Sequence, residues 1–257
     1  MKVSIVTCTY NSAATVADTI RSVNGQTYPD IEHIIVDGMS GDNTVKIATE
    51  LSSYRQRIIC EKDNGIYDAF NKGIKAATGE VVGVLNSDDF FTSPDVVANI
   101  VKAFGENGVD AVYGDVHFVN ADNLSKPVRY YSSAYFRPWM MRMGFMFAHP
   151  SFYVKKSLYD KLGVYRTDFK IASDFELLLR FVYKERIKAK YLSMDFVTMR
   201  TGGASTESMK SKNIINRECL VACKENGVYS NMLLMWCRLF IKGAELMKFK
   251  LTRKIQK

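Results

Sequence analysis

Through the first hundred residues, short apolar runs alternate with amphipathic stretches. Val3 to Cys8, Ile31 to Val36, Arg57 to Cys60 and Glu80 to Leu85 are rich in Ile and Val and too continuous to be half-exposed, which predicts strands buried on both faces. Between them, Ala13 to Val23, Thr44 to Ser52 and Tyr67 to Ala77 carry their apolar residues at helical spacing. Ser12, Asn43 and Ser93 stand near predicted helix starts, and Gly79 follows a helix end. Strand and helix in alternation predict an α/β fold, a mainly parallel central sheet with helices on both faces.

A sheet of this kind binds ligands at the carboxyl ends of its strands. Thr9-Tyr10-Asn11 follows the first run, Asp37-Gly38 the second, Asp63-Asn64-Gly65 the third and Asn86-Ser87-Asp88-Asp89 the fourth. Polar chemistry is thus predicted on one rim, with carboxylates at three of its four positions.

The second half is less regular. A strand is predicted at Ala111 to Val119, then an aromatic and Met-rich stretch from Tyr130 to Phe147, His149-Pro150-Ser151 before a strand at Phe152 to Val154, and a helix from Ser173 to Lys184. Thr201 to Thr206 is a small-residue loop suited to a lid over a bound diphosphate, or to a plain turn.

Composition narrows the setting. With 257 residues and 47% hydrophobic content, the chain can fill a core without disulfides or a structural metal. The five cysteines form no CxxC pair, and Met1 leads directly into the first strand, so a reducing, cytoplasmic setting is expected. Cys219 and Cys223 read as buried thiols rather than a zinc site. The formal charge is +8, but Lys242, Lys248, Lys250, Arg253, Lys254 and Lys257 against Glu245 leave a surplus of five in the last sixteen residues. The remaining body is only mildly basic, and no nucleic-acid partner is expected.

Asp88 and Asp89 emerge side by side from a buried strand, which is costly unless a cation compensates. Mg²⁺ and Mn²⁺ take carboxylate and phosphate oxygens together, an arrangement that holds a diphosphate as it leaves. Alone, the pair reads equally as a turn ahead of the helix at Pro94. No G-x-G-x-x-G follows the first strand, which excludes a dinucleotide-dependent dehydrogenase, and no P-loop occurs. A sugar-nucleotide pyrophosphorylase would show a basic, Gly-rich first loop, and here that loop is neutral. A non-catalytic, membrane-attached carbohydrate-binding protein would not need Asp88 and Asp89, nor the acid Asp174 at the start of the helix from Ser173.

The segment Glu61 to Gly73, followed by Ala77-Thr78-Gly79-Glu80 and the strand to Asn86-Ser87-Asp88-Asp89, resembles family 2 glycosyltransferases. Val3 to Asn11 and Ile35 to Thr44 resemble that family's first two nucleotide-binding loops, and the resemblance covers residues 1 to 205. It implies a GT-A-like fold with a transferase domain over 1–205, donor- and metal-binding in 1–115 and acceptor-binding in 116–205, and a helical, basic extension over 206–257. It implies an inverting enzyme of bacterial surface-polysaccharide synthesis that uses a nucleotide-sugar donor, by family habit a UDP-sugar. Thr9, Tyr10, Asn11 and Gly38 would line the nucleotide, Asp37 would accept from the base, and Asp63 and Lys72 would lie near base and phosphates. Asp88 would contact the ribose and approach the metal, Mn²⁺ or Mg²⁺, and Asp89 would ligate it.

Ala172 to Leu177 resembles the family segment whose acid activates the acceptor hydroxyl, and Asp174 takes that place at the start of a helix that favours its ionised form. Ser173 departs from the pattern, standing where many relatives carry a second acid. Bland readings stay open beside these. Asp37-Gly38 alone is a turn, Lys72 a solvated helix residue, Asp174 a cap. His149 falls on the acceptor side by resemblance and reads equally as a structural histidine.

Met232 to Cys237 and Leu239 to Ile241, interrupted by Arg238, are too short to span a bilayer. With the basic tail they predict either an interfacial helix on an anionic membrane, on the cytoplasmic face, or a helix packed on the core. A polyprenyl-diphosphate-linked glycan as acceptor is what the resemblance implies.

Overall fold

The computed structural model of the protein describes residues 1–202 and 209–237. Most of the loop expected to act as a lid, and the basic tail beyond Cys237, lie outside these residues.

The predicted alternation is present. Strands β1 (Val3–Thr9), β2 (Ile31–Asp37), β3 (Gln56–Cys60) and β4 (Val81–Val84) alternate with helices α1 (Val16–Asn24), α2 (Thr44–Glu50) and α3 (Ile66–Ala76). The strands lie side by side in the order β3-β2-β1-β4, all parallel. Every residue of β1 is buried, as its unbroken apolar run requires.

Beyond β4 the sheet becomes mixed. A short β5 (Phe90–Phe91) leads to α4 (Val96–Phe104), a long hairpin of β6 (Ala111–Asn120) and β7 (Asn123–Tyr131), then β8 (Tyr153–Lys155), α5 (Lys156–Leu162) and β9 (Ala189–Arg200). β8 runs antiparallel to β4 and β6, β9 parallel to β6, and β5 antiparallel to β9. Among the described residues the nine strands make one sheet. Its core gathers Ile5, Leu85, Ile100, Val112, Tyr153 and Phe196.

Helix starts differ in detail from expectation. α1 begins at Val16, because Ala13 is held by the Asp42 carboxylate at 3.1 Å and Ser12 contributes its carbonyl to the Thr15 and Val16 amides. Asn43 occupies the position before α2 without a side-chain cap bond, and Asp42 takes the Thr44 amide at 3.0 Å instead.

By packing, the chain forms two units. The first comprises residues 1–135, 147–168 and 187–201 and contains the whole described sheet. In the second, a 3-10 turn (Pro138–Met143), helix α6 (Ser173–Leu178) continued by a π-helical stretch (Leu179–Lys184), and α7 (Met209–Glu225) pack with the segment after it. α7 buries Asn216, Cys219, Ala222 and Cys223, one face at three- and four-residue spacing, so both thiols are buried as expected. Among the described residues no helix is long and apolar enough to cross a membrane.

Candidate active site

The parallel register sets Thr9, Asp37 and Cys60 opposite one another at the strand ends. Asp37 is fully buried there and receives four donors: Thr9 Oγ1 at 2.8 Å, Ser40 Oγ at 2.6 Å, the Ser40 amide at 2.8 Å and Cys60 Sγ at 3.5 Å. It ties three strand ends together.

Asn11 adopts a positive φ of 49° and links the first loop to the second, its amide on Ser40 Oγ at 2.9 Å and its Oδ1 accepting from Gly41 at 2.9 Å. Tyr10 projects from this loop, 68% exposed. Gly38 admits Asp63, since a Cβ at 38 would stand 2.3 Å from Asp63 Oδ2. Asp63 Oδ1 takes the Gly65 amide at 2.9 Å, and Gly65 at φ 109° turns the chain into α3. Lys72 is paired, its ammonium on the Lys62 carbonyl at 2.6 Å, Glu61 at 3.1 Å and Asp68 at 3.6 Å. Burial works against its charge, but those two carboxylates hold it above the ordinary lysine range.

The turn after β4 is stitched to the first loop. Ser12 Oγ meets Ser87 Oγ at 2.9 Å, and Thr19 Oγ1 donates to the carbonyls of Ser87 at 3.0 Å and Asp89 at 2.6 Å. The turn therefore presents Asp88 and Asp89 by packing, and it leads into β5 rather than capping a helix. Asp89 is buried and receives Asn86 Nδ2 at 2.9 Å. Burial, then the charge of Asp88, pushes its carboxyl up to about 8, and burial also raises Asp88. The pair therefore resists carrying two negative charges at neutral pH.

Arg200 at the end of β9, unsignalled in the sequence, donates to the Asp88 carbonyl and to Asp18 on α1. With its side chain 8% exposed, it fixes the turn from behind and offsets part of the charge.

This donor set fits a hard divalent cation: two adjacent carboxylates, one buried and short of compensating charge. Among the described residues no cluster of three or more His, Cys, Asp or Glu is placed to hold a metal. Remaining positions would fall to diphosphate oxygens and water, as is usual for Mg²⁺.

His149 is enclosed. Its Nε2 meets the Tyr165 hydroxyl, and Phe70 and Tyr165 lie 6.0 and 5.5 Å from its ring. Burial lowers it to about 4, so it is neutral at physiological pH.

In the second unit, Asp174 lies in the first turn of α6 and accepts its neighbour Phe175's amide at 2.7 Å. The helix start does not keep the acid at an ordinary value: burial, reinforced by Glu218, outweighs the amide bonds and brings it up to about 6. At pH 7 it is mostly ionised and a stronger base than a free aspartate. Glu218, also unsignalled in the sequence, accepts the amides of Lys170, Ile171 and Ala172 at 2.8, 3.0 and 2.9 Å. The neighbouring Ser173 is fully buried, its hydroxyl without a partner among the described residues, and Glu176 pairs with Arg180 at 2.9 Å.

Residues 4–169 match the family profile described as Glycosyl transferase family 2. A glycosyltransferase of Mycobacterium tuberculosis is 34% identical over 186 residues, 69% of this chain and 68% of the relative. A Mycobacterium bovis PGL/p-HBAD biosynthesis glycosyltransferase is 25% identical over 218 residues, 83% of this chain and 82% of the relative. Among solved structures, residues 1–349 of S. aureus TarS with UDP-GlcNAc superpose at a TM-score of 0.67 and 17% identity, covering 86% of this chain. The chain spans 66% of that TarS fragment, just under two thirds. The mannosyltransferase PcManGT of Pyrobaculum calidifontis, solved with GDP-Man and Mn²⁺, superposes at 0.63 and 18% identity, covering 98% of this chain and 82% of its own. At these identities the structural likeness carries the fold, which is GT-A-like as expected.

Proposed function

The chain belongs to glycosyl transferase family 2, and on that premise we propose that it transfers a sugar from a UDP-sugar to a hydroxyl of a glycan or polyprenyl-diphosphate-linked glycan, with inversion. The observation that carries this reading is the Asp88-Asp89 turn, where a buried carboxyl pushed up to about 8 stands beside a second one at the end of β4. Both carboxylates would hold Mn²⁺ or Mg²⁺, which when bound would neutralise charge on the departing diphosphate. Thr9, Tyr10, Asn11 and Gly38 line the nucleotide side, with Tyr10 exposed to stack on a base. Asp37 and Asp63 hold the loops in that shape, and Lys72 bounds the phosphate side. Asp174 takes the proton of the acceptor hydroxyl as the new bond forms. Among the described residues, one base and no evident second nucleophile favour a single displacement.

A panel of nucleotide sugars assayed for metal-dependent release of nucleoside diphosphate tests the reaction and identifies the donor. Release of pyrophosphate would favour the pyrophosphorylase reading, and a retained anomeric configuration in the product would contradict single displacement. Asp174→Asn keeps UDP and Mn²⁺ binding by calorimetry while losing transfer, and lost nucleotide binding would contradict its role.

We place the enzyme at an anionic membrane surface. Tyr229, Leu233 and Trp236 are exposed at 67%, 70% and 52%, and the basic tail follows them in sequence. Flotation with anionic liposomes for the full chain, lost on truncation after Tyr229, tests it. Equal flotation of both would contradict it.

A further inference from the structure

Glu218 stands far along the chain from the α6 start, yet its carboxylate is committed there. Oε1 takes the amide of Lys170, and Oε2 takes those of Ile171 and Ala172, all at 2.8 to 3.0 Å. Three successive amides on one carboxylate leave the backbone two residues before Asp174 with little freedom. The glutamate is itself set by α7, whose neighbouring Cys219 is buried. Near α6, Glu176 pairs with Arg180 and Asn226, and Arg142 of the 3-10 turn with Tyr229. Among the described residues, Glu218 is the acid whose field reaches Asp174, and it raises that carboxyl after burial has done so.

We propose that Glu218 is the positioning residue of the base, fixing the direction of the Asp174 carboxylate through the three backbone amides that precede it. The inference rests on Asp174 being the base that activates the acceptor. It assigns Glu218 no contact with substrate.

The test uses the full chain, with the Asp174 carboxyl followed by ¹³C NMR titration and Mn²⁺-dependent release of UDP from UDP-N-acetylglucosamine, water serving as acceptor. In Glu218→Gln the titration moves down from about 6, because a like charge has gone. Turnover falls by between about tenfold and a hundredfold through misplacement, while UDP affinity in Mn²⁺ is unchanged. On an Asp174→Asn background the same change adds no further loss, as expected when one residue acts through the other. An unmoved Asp174 titration in Glu218→Gln overturns the inference, as does wild-type turnover where Asp174→Asn alone abolishes it. Wild-type turnover in Asp174→Asn instead removes the base assignment on which the inference stands. If Glu218→Gln does not fold, Glu218→Asp replaces it: the charge stays and the reach shortens, so slowed turnover with unchanged UDP affinity supports the inference, and wild-type turnover overturns it.

Discussion

Two strand ends of the same sheet each bury an aspartate, and they treat it differently. At the end of β2, Asp37 is met by four donors from three strand ends and their loops. After β4, Asp89 has two donors, the Asn86 side-chain amide and the Arg200 backbone N–H, with the Arg200 guanidinium holding its turn and Asp88 beside it adding repulsion. A buried carboxylate with a full set of donors is structural, whereas one left short of compensation beside a second acid has affinity in reserve for a cation. The β1-β2 side thus builds the rim, and the β4-β5 turn is where charge chemistry is available.

The largest effect should come from breaking the uncompensated side. Asp89→Ala lowers Mn²⁺-dependent UDP release by about a thousandfold, since a bound metal supplies several kcal/mol of transition-state stabilisation. Steady-state kinetics over a Mn²⁺ series checks this. Arg200→Ala should follow, weakening Mn²⁺ affinity by about ten- to a hundredfold through loss of the support behind Asp88, read by calorimetry.

Asp37→Asn should act on the fold instead. It leaves donors facing an amide and costs about 1–3 kcal/mol, visible as a lower Tm, while Mn²⁺ still stabilises the variant. Cys60→Ala is the smallest change, because a thiol donor at 3.5 Å is weak, and should cost under about 0.5 kcal/mol in denaturant titration.

The same contrast has a pH signature. An Asp89 carboxyl raised to about 8 binds its proton more tightly folded than unfolded, where its value is near 3.8. Metal-free stability from this group is therefore greatest below about pH 4 and falls as pH rises toward 8. Asp89→Asn, which carries no such charge, should gain in Tm over the wild type as pH is raised from 4 to 8 without metal. A difference that stays constant with pH would contradict the assignment.

The β3-β2-β1-β4 half was legible because doubly buried parallel strands must be written as unbroken apolar runs, and the polar residues at their ends stand where the chain turns. β7 was not, since it carries Lys126 and Pro127 and is largely exposed, and two-residue β5 is too short for any period. Asp88 and Asp89 stood out as paired acids leaving a buried strand, whereas Asp174 was found through the family resemblance of its segment. Arg200 and Glu218 did not stand out, because they meet Asp88 and Ala172 across 112 and 46 positions, separations over which no local spacing carries a signal. The environment of Asp174 was likewise hidden, as its burial depends on packing rather than on its place in a helix.

If the β4-β5 turn holds a divalent cation together with a nucleoside diphosphate, the binding is measurable without turnover. Calorimetric titration of Mn²⁺ into the UDP-saturated protein at pH 7, repeated in buffers of different ionisation enthalpy, tests it most directly. One Mn²⁺ should bind per chain with release of about one proton, since a carboxyl near 8 must deprotonate to ligate, and Asp89→Asn should show neither binding nor release. Manganese binding of equal strength in wild type and Asp89→Asn, or binding with no proton released, would contradict it.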